Sequence, residues 1–319
     1  MAAERTVAVN GVELHVLEDG PQDGPPVVLA HGFPELAYSW RHQLPALGAA
    51  GYRVLAPDQH GYGRSSRPEA VTDYDITHLS GDLIGLLDDI GAEKAVFVGH
   101  DWGSMVVWQT ALLHPDRIAG VCGMSVPFSP RPPAPPTQLW RQVFDGHFFY
   151  ILYFQEPGVA DAELNGDPAT AMRRMLCGVR TDRGGSIDSN ADDGRGFVAR
   201  FPEPDALPDW LSQEELDFYV GEFTRTGFTG GLNWYRNFDR NWETTPQLDG
   251  AKVAAPSLFI GGALDPVLLM APPDGQEQWL SDFRGSTLVD DAGHWVQQEK
   301  ADGVNTALLE FLRGMGWGK

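Results

Sequence analysis

The stretch from Val96 to Trp108 reads VFVGHDWGSMVVW. An apolar, strand-like run ends at Gly99, and a helix-like run from Ser104 to Leu113 begins almost at once. Between them stand His100, Asp101 and Trp102, with glycines at 99 and 103. Small residues two before and two after a central residue permit a sharp strand-to-helix turn, which pushes the central side chain into the open. The helix N-terminus behind such a turn favours a negative charge. Taken alone, the same residues also suit an ordinary turn with a capping aspartate. The rest of the chain must decide.

Upstream, residues 6–10 and 12–18 read as two strands around Asn10-Gly11, a strong hairpin signal. PPVVLAHG is a continuous apolar run, as expected of a buried parallel strand. A helical stretch near Trp40–Ala50 follows, then the strand YRVLAPD and a helix over Ile76–Ile90. Leu79, Leu83, Leu86, Leu87 and Ile90 give that helix one apolar face. After KAVFVG and the helix beyond Asp101 comes IAGVCGMSV. Alternating strands and helices imply a parallel sheet with helices on both faces. The alternation stops at PFSPRPPAPPTQ, residues 127–138, where prolines are too dense for a helix interior or central strand. From Trp140 to about Trp242 the chain reads as aromatic-rich and helical, with a Gly/Asp-rich loop at 180–196 expected to be exposed and mobile. Strand signals return at APSLFIGGAL and STLVDDAG, and a helix is expected over Val304–Leu312. The expectation is an α/β core of residues 1–129 and 246–319, interrupted by a helical cap at 130–245.

The 319 residues carry a net charge of −21, which argues against nucleic acid and anionic membrane surfaces as partners. No apolar run reaches membrane length, and the N-terminal MAAERTVAVNG lacks a signal-like apolar core. Cys122 and Cys177 suggest neither a disulfide framework nor a metal site. A soluble cytoplasmic protein without cofactor or metal is expected; a homodimer is left open.

If Asp101 is a presented nucleophile, its partners should follow in the order acid, then histidine, each after a late strand. SLFIGGALD delivers Asp265, and TLVDDAGH delivers His294. The turn SVPFSP carries no carboxylate, and no other histidine follows Asp265. LAHGFPE follows the third strand, where the backbone N–H of Phe33 could join that of Trp102 around one oxygen. His31 reads as a structural hydrogen-bonder rather than a base. Glu35 could position water or cap the next helix.

An aspartate can do what a serine cannot. Serine attacking a saturated carbon leaves an ether, which has no carbonyl for water to attack. Aspartate leaves an ester, and its hydrolysis regenerates the carboxylate. Asp101 therefore points to substitution at sp³ carbon, followed by ester hydrolysis with water activated by His294, held by Asp265. The leaving group is then a halide or a strained epoxide oxygen. An epoxide oxygen needs a proton donor, and two cap stretches offer phenols: FFYILYFQEPG and GLNWYRNFDRNW. Tyr150 and Tyr153 are three residues apart and could share a helix face, so the residues alone leave both open. Ordinary histidine and phenol titrate near ~6.5 and ~10, which predicts a bell-shaped rate profile, with Asp265 favouring the imidazolium.

With HGFPE, GHDWG, Y-x-x-x-FQEPG, NWYRN and DAGHW as written here, the chain resembles the soluble-type epoxide hydrolases of the α/β-hydrolase fold over nearly its whole length. The resemblance implies a mostly parallel eight-stranded sheet flanked by helices, with an inserted helical cap. It also implies that two cap tyrosines hold the epoxide oxygen; by motif they are Tyr150 and Tyr235. Phe33, Trp102, Tyr153 and Phe154 are candidates for the substrate pocket, which Phe144, Phe148 and Phe149 would make apolar. The substrate expected is a small apolar epoxide, with water as co-substrate. His60 in PDQHGYGRS stands where the family commonly carries arginine, in a loop expected to be structural. A haloalkane dehalogenase would share the aspartate and Trp102, but usually has a polar residue in place of Phe33 and would leave both tyrosines unexplained. A non-catalytic ligand-binding member of the fold is the remaining alternative, and it need not keep the full catalytic set.

Overall fold

The computed structural model describes residues 2–183 and 192–318. Eight strands form one sheet: β1 (Ala3–Val9), β2 (Val12–Asp19), β3 (Pro26–Ala30), β4 (Arg53–Pro57), β5 (Ala95–His100), β6 (Ile118–Met124), β7 (Val253–Gly262) and β8 (Leu280–Val289). Their order is β1-β2-β4-β3-β5-β6-β7-β8. β2 runs antiparallel to β1 and β4, and all other neighbours are parallel. Asn10 (φ 47°) and Gly11 (φ 85°) both adopt left-handed backbone, the geometry a two-residue hairpin demands. β1 starts at Ala3, earlier than its hydropathy suggests, because the ladder extends to the pair Ala3–Glu18. β8 likewise starts at Leu280, well before the apolar STLV, because its exposed half alternates polar side chains.

Helices cover both faces. Val27, Leu29, Val54, Ala56, Val96 and Val98 pack against α1 (Gln43–Ala49) and a C-terminal helix, Ala301–Gly314. Their strand neighbours Val28, Ala30, Leu55 and Phe97 point the other way, onto α2 (Ile76–Asp89) and α3 (Trp102–Leu113). This alternation is the period of two that a buried sheet imposes. α3 is apolar on nearly every side and is correspondingly buried.

Between β6 and β7 the chain forms an inserted helical region. It comprises α4 (Pro136–Val143), α5 (Tyr150–Tyr153), α6 (Val159–Gly166), α7 (Pro168–Gly178), α8 (Gln213–Thr226), α9 (Thr229–Arg236) and α10 (Phe238–Thr244). The last proline of the proline-rich stretch opens α4, where a missing N–H costs nothing. Short helices α11 (Val267–Met270) and α12 (Val296–Glu299) follow β7 and β8, and the C-terminal helix is α13. The central part of the Gly/Asp-rich loop, 184–191, lies outside the described residues.

The inserted region docks on the core through specific polar contacts. Arg240 donates to Asp75 at 2.9 Å while Asp75 caps α2, and Asn241 accepts the Ile76 N–H at 2.8 Å. Trp234 Nε1 donates to the His60 carbonyl at 3.0 Å. His60 itself is buried, with Nδ1 3.0 Å from Asp82 Oδ2 on α2, so it has a structural partner as expected of that loop. Among the described residues no helix is long and apolar enough to cross a membrane.

β5 and α3 meet at the turn around Asp101. A Cβ on Gly99 would overlap the Gly103 carbonyl, and one on Gly103 would overlap the Ala30 carbonyl. Backbone and backbone touch here with no room for a side chain. Gly103→Ala should therefore destabilise the protein by about 1–3 kcal/mol through overpacking. Urea unfolding monitored by circular dichroism checks this; an unchanged midpoint would show that the turn tolerates the methyl group.

Candidate active site

Asp101 leaves β5 with φ 53° and ψ −119°, a conformation few non-glycine residues adopt. It turns the carboxylate off the sheet at the C-terminal ends of the parallel strands, where open α/β sheets form their sites. α3 starts immediately after it, two residues earlier than the sequence pattern suggests. Asp265 follows β7 and His294 follows β8, so the three arrive from separate strand ends.

The triad closes as the spacing predicts. His294 Nδ1 lies 2.9 Å from Asp265 Oδ2, and His294 Nε2 lies 3.5 Å from Asp101 Oδ2. Asp265 Oδ1 accepts the Val267 N–H at 2.9 Å, which fixes the rotation of that carboxylate. The Phe33 N–H donates to Asp101 Oδ1 at 2.8 Å. A Cβ on Gly32 would strike the Asp101 side chain, so only glycine lets this loop approach so closely. The two Asp101 oxygens thus differ: Oδ1 faces a backbone donor, Oδ2 faces the imidazole. Trp102 is the first residue of α3, where a backbone N–H has no intrahelical acceptor.

Burial alone would lower the His294 pKa. The charge of Asp265, hydrogen bonds to Asp101 and Asp265, and the charge of Asp101 outweigh it and raise the value well above the ordinary histidine range. The two carboxylates thus favour the imidazolium form of His294. Tyr150 and Tyr235 are pushed up by burial first, then by the nearby Asp101 charge. Both therefore stay protonated through and beyond the range where an ordinary phenol ionises, so a basic limb near ~10 is no longer expected from them.

α5 and α9 bring the two tyrosines together with ring centroids 6.0 Å apart. Tyr235 packs edge-on against Phe33 (5.5 Å), Trp102 (5.1 Å) and Phe154 (5.0 Å). Tyr150 packs against Phe154 at 5.6 Å. The Tyr153 ring lies 6.1 Å from Phe154, but its hydroxyl is taken by Glu163, donating to Oε2 at 2.9 Å. Phe33, Trp102 and Phe154 therefore share one apolar wall with the paired tyrosines. Phe148 and Phe149 are buried, and Phe144 stacks on Phe149 at 4.0 Å.

Beneath the triad lies a polar layer that sequence reasoning largely missed. Glu35 is fully buried and accepts from the Gly32 N–H at 2.9 Å and from the amides of Gln297 (2.8 Å) and Gln298 (3.2 Å). His100 Nδ1 lies 2.6 Å from Glu35 Oε2, and His100 Nε2 lies 2.7 Å from the His294 carbonyl. Both His100 nitrogens are thus taken up by buried partners. Burial would raise the Glu35 pKa, but the His100 charge, the bond to it and the Gly32 N–H hold it down at about 2. The contacts of Glu35 thus hold the Gly32-Phe33 loop to the turn, rather than capping a helix. The adjacency of His100 to Asp101 was the one available signal. His31 is structural as expected: its Nε2 accepts the Gln59 N–H at 2.9 Å. Among the described residues no cluster of His, Cys, Asp or Glu is placed to hold a metal ion.

Comparison with known proteins agrees with this geometry. The α/β hydrolase fold family model matches residues 25–301. The chain is 61% identical over 314 residues to epoxide hydrolase A of Mycobacterium tuberculosis, covering 98% of each. A solved structure of epoxide hydrolase A from Mycobacterium thermoresistibile superposes with a TM-score of 0.96 at 60% identity, over 98% of this chain and 99% of that one. An epoxide hydrolase from an endophytic Streptomyces gives 0.94 at 41% identity, over 98% and 96%.

The raised His294 pKa has a testable source. Asp101→Ala removes one of the two carboxylates, so the pKa should fall toward the ordinary value; an NMR titration of the ring reads this directly. The stability linkage has a definite sign. A pKa raised on folding contributes stability that is full below the unfolded value of ~6.5 and is lost as pH rises through the folded value. In Asp101→Ala that loss should be complete at lower pH than in the wild type. An unchanged titration would mean that Asp101 does not control the charge on His294.

Proposed function

The chain belongs to the epoxide hydrolases of the α/β-hydrolase fold, and on that premise we propose the residue roles that follow. The reaction adds water to an epoxide to give a vicinal diol, through a covalent ester on the enzyme. The observation that carries the assignment is a carboxylate at the strand-to-helix turn, facing an imidazole that a second carboxylate holds. Residues 1–129 and 246–319 serve as the core domain, and 130–245 as the cap.

Asp101 Oδ2 attacks an epoxide carbon and the C–O bond breaks. The departing oxygen takes hydrogen bonds from Tyr150 and Tyr235, and one of them supplies its proton. Phenols held above their usual range do not compete by ionising. Asp101 Oδ1, beside the Phe33 N–H, becomes the ester carbonyl oxygen. Esterification removes the Asp101 charge, and with it part of what raised the His294 pKa. The imidazolium can then give up its proton, which restores the tyrosine, and the neutral imidazole acts as base in the second step.

Water, deprotonated by His294, adds to the ester carbonyl carbon. Charge collects on Oδ1, where the N–H groups of Phe33 and Trp102 form the oxyanion hole. Oδ2 leaves with the diol and takes the second proton of the water, the water oxygen stays on the Asp101 carboxylate, and the proton taken by His294 restores the imidazolium. No cofactor or metal enters this sequence. The apolar wall of Phe33, Trp102 and Phe154 fits a small apolar epoxide; Tyr153, tied to Glu163, borders that space. The acidic surface and unpaired thiols suit a cytoplasmic setting, and a homodimer is a state that light scattering would reveal.

His294→Gln should still be alkylated but should not turn over. One equivalent of substrate should accumulate as an ester on Asp101, visible by intact mass and peptide mapping. A single wild-type turnover in heavy-oxygen water should place the label in Asp101. Label in the diol alone would mean direct attack by water and would remove Asp101 as nucleophile.

The tyrosines separate epoxide opening from dehalogenation, since a halide leaves without a proton. Each single Tyr→Phe change should slow alkylation roughly 10- to 1,000-fold, as expected for lost acid or oxyanion donors. Tyr150→Phe/Tyr235→Phe should form almost no alkyl-enzyme in stopped-flow with a terminal epoxide. Normal alkylation by that folded double variant would refute the donor roles. Loss confined to Tyr153→Phe would move the role to that residue.

A further inference from the structure

The proposed base sits on a loop that is held from an unexpected side. The consecutive N–H groups of Gly293, His294 and Trp295 are all taken: Gly293 donates to Glu299 Oε2 at 2.8 Å, His294 to the Val179 carbonyl at 3.2 Å, and Trp295 to Glu299 Oε1 at 3.0 Å. Val179 belongs to the inserted cap, just past the end of α7, whereas Glu299 ends α12 in the core. The Glu299 side chain is only 2% exposed, and Arg180 Nη1 donates to its Oε2 at 2.8 Å. The guanidinium is itself fixed by Asp182, with bonds of 3.0 Å from Nε and Nη2, and by Asp291 Oδ1 at 3.0 Å. One residue on, the Thr181 N–H donates to the Leu264 carbonyl at 2.9 Å, next to Asp265. The Leu264 N–H donates in turn to the Ala292 carbonyl at 2.8 Å, in the histidine loop. A Cβ on Gly293 would run into the Arg180 side chain, so the segment lies flat on the loop.

We propose that Arg180 and Glu299 are positioning residues for the hydrolytic half-reaction: with the backbone of residues 179–181 they form a strap by which the cap holds the His294 and Asp265 loops in register. Neither side chain touches the reacting atoms. Glu299 satisfies the two amides that flank His294, and Arg180 keeps that carboxylate aimed. Asp101, Phe33 and the two tyrosines lie on other elements, so the strap acts on the base and leaves the alkylating groups in place. A displacement of the base by about 1 Å is enough to cost on the order of 100-fold in rate. This inference rests on the two-step reading above.

The two-step scheme makes the test specific. Slowing only ester hydrolysis lowers kcat and KM together and leaves kcat/KM at its wild-type value, because kcat/KM reports alkylation alone. Glu299→Gln and Arg180→Gln should each lower ester hydrolysis roughly 10- to 100-fold, with kcat/KM within about threefold of wild type. The alkyl-enzyme on Asp101 should then accumulate in quenched-flow mass spectra at steady state. Arg180→Lys, which keeps the charge but not the fork, should recover part of the loss. Thermal unfolding is measured alongside. A lower Tm with both half-reactions unchanged, or kcat/KM falling in step with kcat, would assign the pair a purely structural role and overturn the proposal. Should the wild-type enzyme itself form no Asp101 ester, the catalytic reading fails rather than the strap.

Discussion

Everything in this molecule turns on one backbone constraint, the left-handed φ of Asp101 at the junction of β5 and α3. A non-glycine residue in such a conformation costs of order 1–3 kcal/mol and persists only when its surroundings over-determine it. Here they do. Gly99 and Gly103 bring strand, helix and the Ala30 carbonyl into direct backbone contact, and Gly123 on β6 lets Ser104 and Trp108 of α3 lie against the sheet. The Ser104 hydroxyl then donates to the Val126 carbonyl at 2.6 Å, tying the helix start to the segment just after β6. The carboxylate is therefore presented by packing that pervades the sheet rather than by a loop free to relax.

Around that carboxylate the charges are arranged in alternation. Asp101, His294 and Asp265 form one line, and Glu35 with His100 forms a second line directly below. The two lines share an atom, since the His294 carbonyl accepts from His100 at 2.7 Å and from the Ser125 hydroxyl at 2.8 Å. Buried carboxylates are costly unless each lone pair is met. Glu35 meets that condition with four donors, and its loop carries the Phe33 N–H that faces Asp101. The low pKa of Glu35 thus follows from the same contacts that set the position of Phe33.

The sheet order of events was legible because buried parallel strands are continuous apolar runs, and the three catalytic candidates fall at the ends of such runs. The ends of elements were less legible. β8 hides its first residues in an alternating polar pattern, and α3 begins at Trp102 because the turn is tighter than any pattern of hydropathy reveals. The choice between Tyr150 and Tyr153 depended on which way a four-residue helix is rotated, and only the Glu163 contact expresses that. The pairing of Arg180 with Glu299 joins positions 119 apart in sequence, and no local pattern encodes it.

That pairing bears on why the cap is inserted where it is. The chain leaves the core after β6 and returns at β7, so the insertion begins beside the nucleophile turn and ends just before the strand that delivers Asp265. A cap rooted there can reach both halves of the site. Its α5 and α9 lower the tyrosine pair over Asp101, whereas the segment after α7 grips the loops of Asp265 and His294 from the far side. The proposed donors for the first step and the proposed support for the base of the second thereby belong to one layer. A rigid shift of that layer would move the tyrosines and strain the strap at once. The core fixes the carboxylate by backbone contact. The cap places, through side chains on one side and backbone on the other, the two groups proposed to act on it in turn.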